Sequence, residues 1–187
     1  GLAMEQLEKD WIEYPVLHLD LNTGRYIKPE DLDVVLDQHL NNWEAHYGVV
    51  RKYDDSSARM NDIIDAAFSK TGRKVVILID EYDKPIVNNL GNESLADYYR
   101  KTLQGFYSVL KAKDGQIKFG FLTGVSKIGK LSVFSALNNL KDISMVKDYA
   151  DICGLSEKEL HDNFDESVSE LGDSNDLSKD ESYLKLK

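Results

Sequence analysis

Residues 75–86 read Val-Val-Ile-Leu-Ile-Asp-Glu-Tyr-Asp-Lys-Pro-Ile, and no other stretch constrains the fold as strongly. Five apolar residues, Val75 to Ile79, rich in β-branched side chains, run directly into two carboxylates, Asp80 and Glu81. An unbroken apolar run of this length is the pattern of a strand buried on both faces, as in a parallel sheet flanked by helices. Acids at the C-terminal end of such a strand stand where α/β sheets place their ligands.

The rest of the chain alternates in the way a parallel sheet requires. Tyr14 to Leu21 predicts a strand after Pro15, broken by Asn22-Thr23-Gly24. Pro29-Glu30-Asp31 opens a helix, with Leu32, Val35, Leu36, Leu40 and Trp43 at helical spacing. Ser56 or Ser57 is the expected cap of a second helix striped by Met60, Ile63, Ile64, Ala67 and Phe68. A long helix is predicted over Ser94 to Lys113, a third strand over Ile117 to Thr123, a short helix over Leu131 to Leu140 and a short fourth strand over Ile143 to Val146. Ser156 with Glu159 is a capping-box pair opening another helix, and Ser178 with Glu181 is a second. Strands separated by helices imply βαβ units. The expected architecture is an α/β core over residues 1–152, followed from 153 to 187 by a small helical appendage or a partly disordered end.

Bulk composition excludes several classes. The 187 residues carry 23 Lys and Arg against 33 Asp and Glu, a net charge of −10, which opposes broad attraction to nucleic acid or anionic lipid. One cysteine, Cys153, excludes an internal disulfide and fits a reducing cytoplasm. No apolar stretch approaches the roughly 20 residues needed to span a bilayer, and Gly1 to Gln6 lack the pattern of a signal peptide.

The chemistry-bearing candidates cluster at strand ends. In nucleotide hydrolases an apolar strand ending in Asp-Glu is the Walker B element: the first acid, here Asp80, holds Mg²⁺, and the second, Glu81, acts as general base on the attacking water. Asp83 and Lys84 lie just beyond, where they can hold a switch loop or contact phosphate. Thr123 and Ser126 follow the third strand and suit a sensor-like role beside Asp80, hydrogen-bonding water or phosphate. Gly124-Val-Ser-Lys-Ile-Gly129-Lys130 nearly matches a phosphate-binding loop, but position 131 is Leu where the Mg²⁺-binding hydroxyl belongs, and the loop follows the acidic strand instead of preceding it. Asp20 reads as an ordinary strand-end acid. His18, His39, His46 and His161 have no metal-ligand spacing. Cys153 reads as a buried thiol, Arg100 as a surface ion pair, and Tyr98, Tyr99 and Tyr107 as core and rim packing.

Taken in order, residues 14–20, 77–86, 106–111, 121–127 and 132–140 resemble the AAA-ATPase-like family of bacterial proteins. Those proteins generally join an N-terminal P-loop ATPase module to a C-terminal PD-(D/E)XK nuclease-like domain. The resemblance implies a P-loop NTPase-like, AAA-type parallel sheet sandwiched by helices, with Asp80 and Glu81 as Walker B residues, Asp80 as the metal ligand, and Thr123 and Ser126 as nucleotide-sensing groups. Family members carry a Walker A segment of the type Arg-Phe-Gly-Lys-Ser upstream. On this reading the chain starts after that segment and stops before any nuclease-like domain. ATP and Mg²⁺ are then expected to bind the longer parent, and nucleic acid only through its nuclease-like domain. This piece alone is expected to bind neither cofactor and to cover its exposed sheet and helix faces by dimerising, swapping segments or rearranging. The competing reading is a non-catalytic interaction module on the same scaffold.

Overall fold

The computed structural model describes residues 6–125, 140–150, 152 and 154–186. The chain divides into two compact units, Gly1–Asn139 and Leu140–Lys187; the sequence reading drew its boundary at 152/153.

The first unit is built on three parallel strands: β1 (Val16–Asp20), β2 (Val75–Asp80) and β3 (Ile117–Leu122), in the order β1-β2-β3. Strand β2, which ends on Asp80, is therefore central. Helices α1 (Glu30–Tyr47) and α2 (Ser56–Thr71) connect β1 to β2, and α3 (Lys84–Val87) and α4 (Glu93–Ala112) connect β2 to β3. Register is direct between the first two strands, with Leu17 opposite Ile77, Leu19 opposite Ile79 and Asp20 opposite Asp80. A bulge between Val75 and Val76 shifts the pairing with β3, so that Ile79 meets Leu122.

The helices start and stop for local reasons. Pro29 precedes α1, whose first turn carries Glu30, Asp31 and Asp33, acids that favour the positive end of a helix dipole. Gly48, at φ +75°, ends α1 in the left-handed conformation that costs an L-residue most. The cap of α2 is Asp55, not Ser56 or Ser57: its carboxylate accepts the Ala58 N–H at 2.8 Å, and Ser56 becomes the first helical residue. Both serines and the aspartate suit an N-cap, so composition alone left the choice open.

Packing is one-sided. Leu17, Leu19, Val75, Ile77 and Ile79 are buried under helices α1, α2 and α4, together with Leu36, Leu40, Ile63, Ile64, Leu103 and Phe106. The opposite face carries Val16, His18, Val76, Leu78, Phe119 and Phe121. Val16 is 47% exposed and Phe119 53% exposed. Among the described residues the sheet is thus covered on one face rather than sandwiched. The apolar run of β2 makes burial of both faces favourable, but it cannot specify what lies on the second one.

A buried ion cluster clamps α1 to α2. Arg59 donates from Nε and Nη2 to the two carboxylate oxygens of Glu44, at 2.7 and 2.8 Å, and from Nη1 to Asp37. Arg59 and Glu44 are 3% and 6% exposed.

The second unit contains α5 (Glu157–Asp173) and α6 (Lys179–Lys185), each opened by the capping box expected from sequence, at Ser156/Glu159 and Ser178/Glu181. No strand forms at 143–146; the segment turns, then enters a short 3-10 turn over Lys147–Tyr149. Its backbone groups bond locally, the Val146 N–H to the Ile143 carbonyl at 3.1 Å and the Ser144 N–H to Asp142 Oδ1 at 3.0 Å, so the apolar content of four residues does not suffice for a strand. The helix expected over Leu131 to Leu140 lies outside the described residues except for its last position.

Candidate functional site

The C-terminal edge of the sheet gathers the predicted acids. β1 and β2 end in register on Asp20 and Asp80, both on the face that carries Val16, His18, Val76 and Leu78. The chain then leaves the two strands differently. After β1, the Leu21 N–H still donates to the Asp80 carbonyl at 3.1 Å, and Asp20 Oδ1 caps the turn by accepting the Asn22 N–H at 2.7 Å. Lys84 Nζ reaches back to Asn22 Oδ1 at 2.7 Å, tying the start of α3 to the end of β1. That contact gives Lys84 a bracing role.

Thr123 is the junction of the site. Its N–H donates to the Ile79 carbonyl and its own carbonyl accepts the Tyr82 N–H, both at 2.9 Å, so it extends the β2–β3 ladder past the strand ends. Its Oγ1 donates to Asp80 Oδ1 and accepts the Glu81 N–H at 3.3 Å. One hydroxyl thereby fixes the Asp80 carboxylate and the backbone of Glu81 together. Asp80 and Thr123, paired from sequence across 43 positions, are in direct contact.

Glu81 is held in an unusual state. Its φ is +55°, a left-handed conformation that costs a non-glycine residue about 1–2 kcal/mol. Its Oε2 is buried and has no hydrogen-bond partner among the described residues. Backbone strain combined with an unsatisfied carboxylate oxygen is an arrangement that packing has to impose, and such outliers concentrate at functional sites.

Several sequence-level candidates stand elsewhere. Ser126, Gly129, Lys130 and Cys153 lie outside the described residues. The start of the near-miss phosphate loop is described: its Val125 N–H is donated to Asp83 Oδ1 at 3.1 Å and is not free for a phosphate. His39 is half-buried on α1, with Nε2 3.3 Å from the Asp20 carbonyl, and burial lowers its pKa. Arg100 pairs with Asp97 at 2.9 Å, a surface contact. Tyr99 and Tyr107 are fully buried and Tyr98 lies at the rim, bonded to Asp33. Burial pushes the Tyr107 phenol well above its usual range. No group of three His, Cys, Asp or Glu side chains among the described residues is arranged to hold a metal ion. No described helix is long and apolar enough to cross a membrane.

A recess of about 640 Å³ lies away from this edge, lined by residues of α1, α2 and α4 including Asp33, Asp37, Arg51, Arg59 and Tyr98. Its charges pair with one another, Asp37 with both Arg51 and Arg59. Asp80, Glu81 and Thr123 stand at the shallow strand edge, and the recess is bounded by a structural ion cluster. Sequence reading names Asp83 as a residue that can hold a loop but does not foresee its full burial, and it misses the Arg59 cluster. The cluster had a visible signal, since Asp37, Asn41 and Glu44 recur at helical spacing on α1 and all three bond Arg59.

A protein of Azotobacter chroococcum mcd 1, described as an uncharacterized protein in the vnfD 5'region, is 38% identical over 152 residues. That match covers 81% of this chain but 30% of the other protein, so the chain spans about a third of the length of this curated relative. No solved structure matches the chain. The model of the family described as "Predicted AAA-ATPase" matches residues 1–134, well over half of the sequence, and the chain belongs to that AAA-ATPase-like family.

Proposed function

We propose that this chain carries the acidic half of a nucleotide-hydrolysing site: Asp80 as the magnesium-side carboxylate, Glu81 as general base, and Thr123 as the polar group that orients both. The observation that carries the reading is the Thr123 hydroxyl, which bonds the Asp80 carboxylate and the Glu81 backbone from the neighbouring strand. Membership of the AAA-ATPase-like family supports it.

The residues fit magnesium and ATP in a specific sense. Asp80 offers one carboxylate braced at one oxygen, which suits contact through metal-bound water better than a closed metal cage. The partnerless Oε2 of Glu81 is an acceptor in search of a proton donor. Magnesium ATP, when bound, supplies the phosphorus electrophile and the charge neutralisation for transfer to water. Glu81 orients that water and takes its proton; Thr123 keeps Asp80 from rotating away; Asp20, in register with Asp80, adds negative potential at the strand edge. The Val125 N–H serves Asp83, and position 131, just after Gly124–Lys130, is Leu, so this reading looks elsewhere for the backbone N–H groups and lysine that hold the β- and γ-phosphates. In this reading a longer protein supplies them, Ser126 of this chain adds a second polar contact, and any action on nucleic acid belongs to a separate nuclease-like domain.

One observation favours a second reading. The open sheet face with Val16 and Phe119 exposed suits a scaffold that binds another protein or a second copy of itself. Calorimetric titration of magnesium ATP into this chain and into the longer protein separates the two. The proposal expects weak or no binding here, clear binding in the longer protein, loss of magnesium dependence in Asp80→Asn, and retained binding without turnover in Glu81→Gln. Unchanged turnover in Glu81→Gln refutes the assignment of the base, and no binding by the longer protein favours the interaction module.

A further inference from the structure

The loop after β2 and the loop after β3 are fastened to each other a second time, beyond Thr123. Asp83 is fully buried, and its Oδ1 accepts the Val125 N–H at 3.1 Å. A buried carboxylate on a backbone N–H is a strong, directional bond, because the charge is removed from water and the donor cannot be replaced by solvent. Gly124 lies between these two attachments. A Cβ at Gly124 would stand 2.5 Å from Tyr82 Cε1 and 2.6 Å from Asp83 Oδ1, so only glycine permits the loops to close to this distance. The Tyr107 hydroxyl donates to the Tyr82 carbonyl at 3.3 Å from the buried face of α4, which anchors the loop to the core.

We propose that Asp83 is a positioning residue: through Val125 it latches the 123–125 loop against residues 81–83 and so holds Thr123 against Asp80 and Glu81. The latch explains how a threonine just beyond its strand keeps two simultaneous hydrogen bonds. It also explains how Glu81 stays in a left-handed conformation, since the backbone on its far side cannot relax while Tyr82 and Asp83 are held. Asp83 is assigned no contact with substrate; it acts through the Val125 N–H. The structural claim stands on its own; its consequence for hydrolysis rests on the function proposed above.

Amide hydrogen exchange on the full 187-residue chain tests the latch. Asp83→Ala is expected to speed exchange at Val125, Thr123 and Tyr82 by about tenfold, the factor a lost hydrogen bond to a charged acceptor corresponds to, while Ile77 and Leu103 keep their protection. Asp83→Asn, whose side-chain oxygen still accepts from Val125, is expected to restore most of the protection. Gly124→Ala, which wedges the loops apart without touching the carboxylate, is expected to give the same pattern at the same amides. If Asp83→Ala loses protection everywhere, the Gly124→Ala pattern decides. Val125 exchanging freely in the unmodified chain, or Gly124→Ala leaving Tyr82 and Thr123 protected, overturns the proposal. Absence of magnesium-nucleotide binding in the longer protein would instead count against the hydrolase reading and leave the exchange result standing.

Discussion

Replacing Glu81 by glycine should make this protein more stable. Three magnitudes decide the sign. The left-handed backbone at φ +55° costs an L-residue about 1–2 kcal/mol, which glycine removes. The buried, partnerless Oε2 costs about 1–3 kcal/mol; because the side chain as a whole is only part-buried, the lower end, about 1 kcal/mol, applies. Against these, the extra freedom of glycine in the unfolded chain costs about 0.5–1 kcal/mol. The balance is a gain of about 1.5 kcal/mol, or roughly 3–6 °C in melting temperature at this chain length. Glu81→Ala separates the contributions. Alanine removes the carboxylate but keeps the strain, so it should gain about 1 kcal/mol and fall short of glycine by about 0.5 kcal/mol. Urea unfolding followed by tryptophan fluorescence reads this cleanly, since Trp11 and Trp43 both lie in the first unit. A glycine variant at or below the parent in stability, or no more stable than alanine, would refute the claim that strain is stored at this position. A stabilising change that also abolishes nucleotide turnover in the longer protein is what a functional strain predicts.

Three other outcomes follow from the geometry. Arg59→Met strands Glu44 as an unpaired buried charge and should cost about 3–5 kcal/mol, most of it recovered in the Arg59→Met/Glu44→Leu double variant; chemical unfolding of all three measures the coupling. Burial lowers the His39 pKa below its unfolded value, so the unfolded chain binds the proton more readily; stability is complete above about pH 6.5 and declines as pH falls through that range toward the folded pKa, and His39→Gln should remove that portion of the slope in pH-dependent melts. In the second unit, a Cβ at Gly172 would meet Ser182 Oγ at 2.5 Å and the Leu177 carbonyl at 3.0 Å, so Gly172→Ala should loosen α6 from α5 and lower stability by about 1–3 kcal/mol, read as lost helical circular dichroism on heating.

The elements of the first unit were legible because their signals are local. Val75–Ile79 is strand by composition, the stripe from Leu32 to Leu40 is helix by period, and both capping boxes of the second unit follow from four-residue patterns. Where local signals competed, the reading went astray: Asp55 took the cap from its serine neighbours, and the apolar segment at 143–146 turned instead of pairing.

Sequence by itself determined that a central apolar strand delivers Asp80 and Glu81 to the C-terminal edge of a parallel sheet, and that Thr123 ends the next strand. The periods of 2 and 3.6 and the crossover requirement of parallel strands suffice for that. Only the tertiary structure decided how Glu81 is held, that Asp83 is buried against Val125, and that one face of the sheet stays open among the described residues. Each of these depends on contacts between residues some 40 positions apart or on what covers a surface, and neither leaves a mark on the local pattern of a chain.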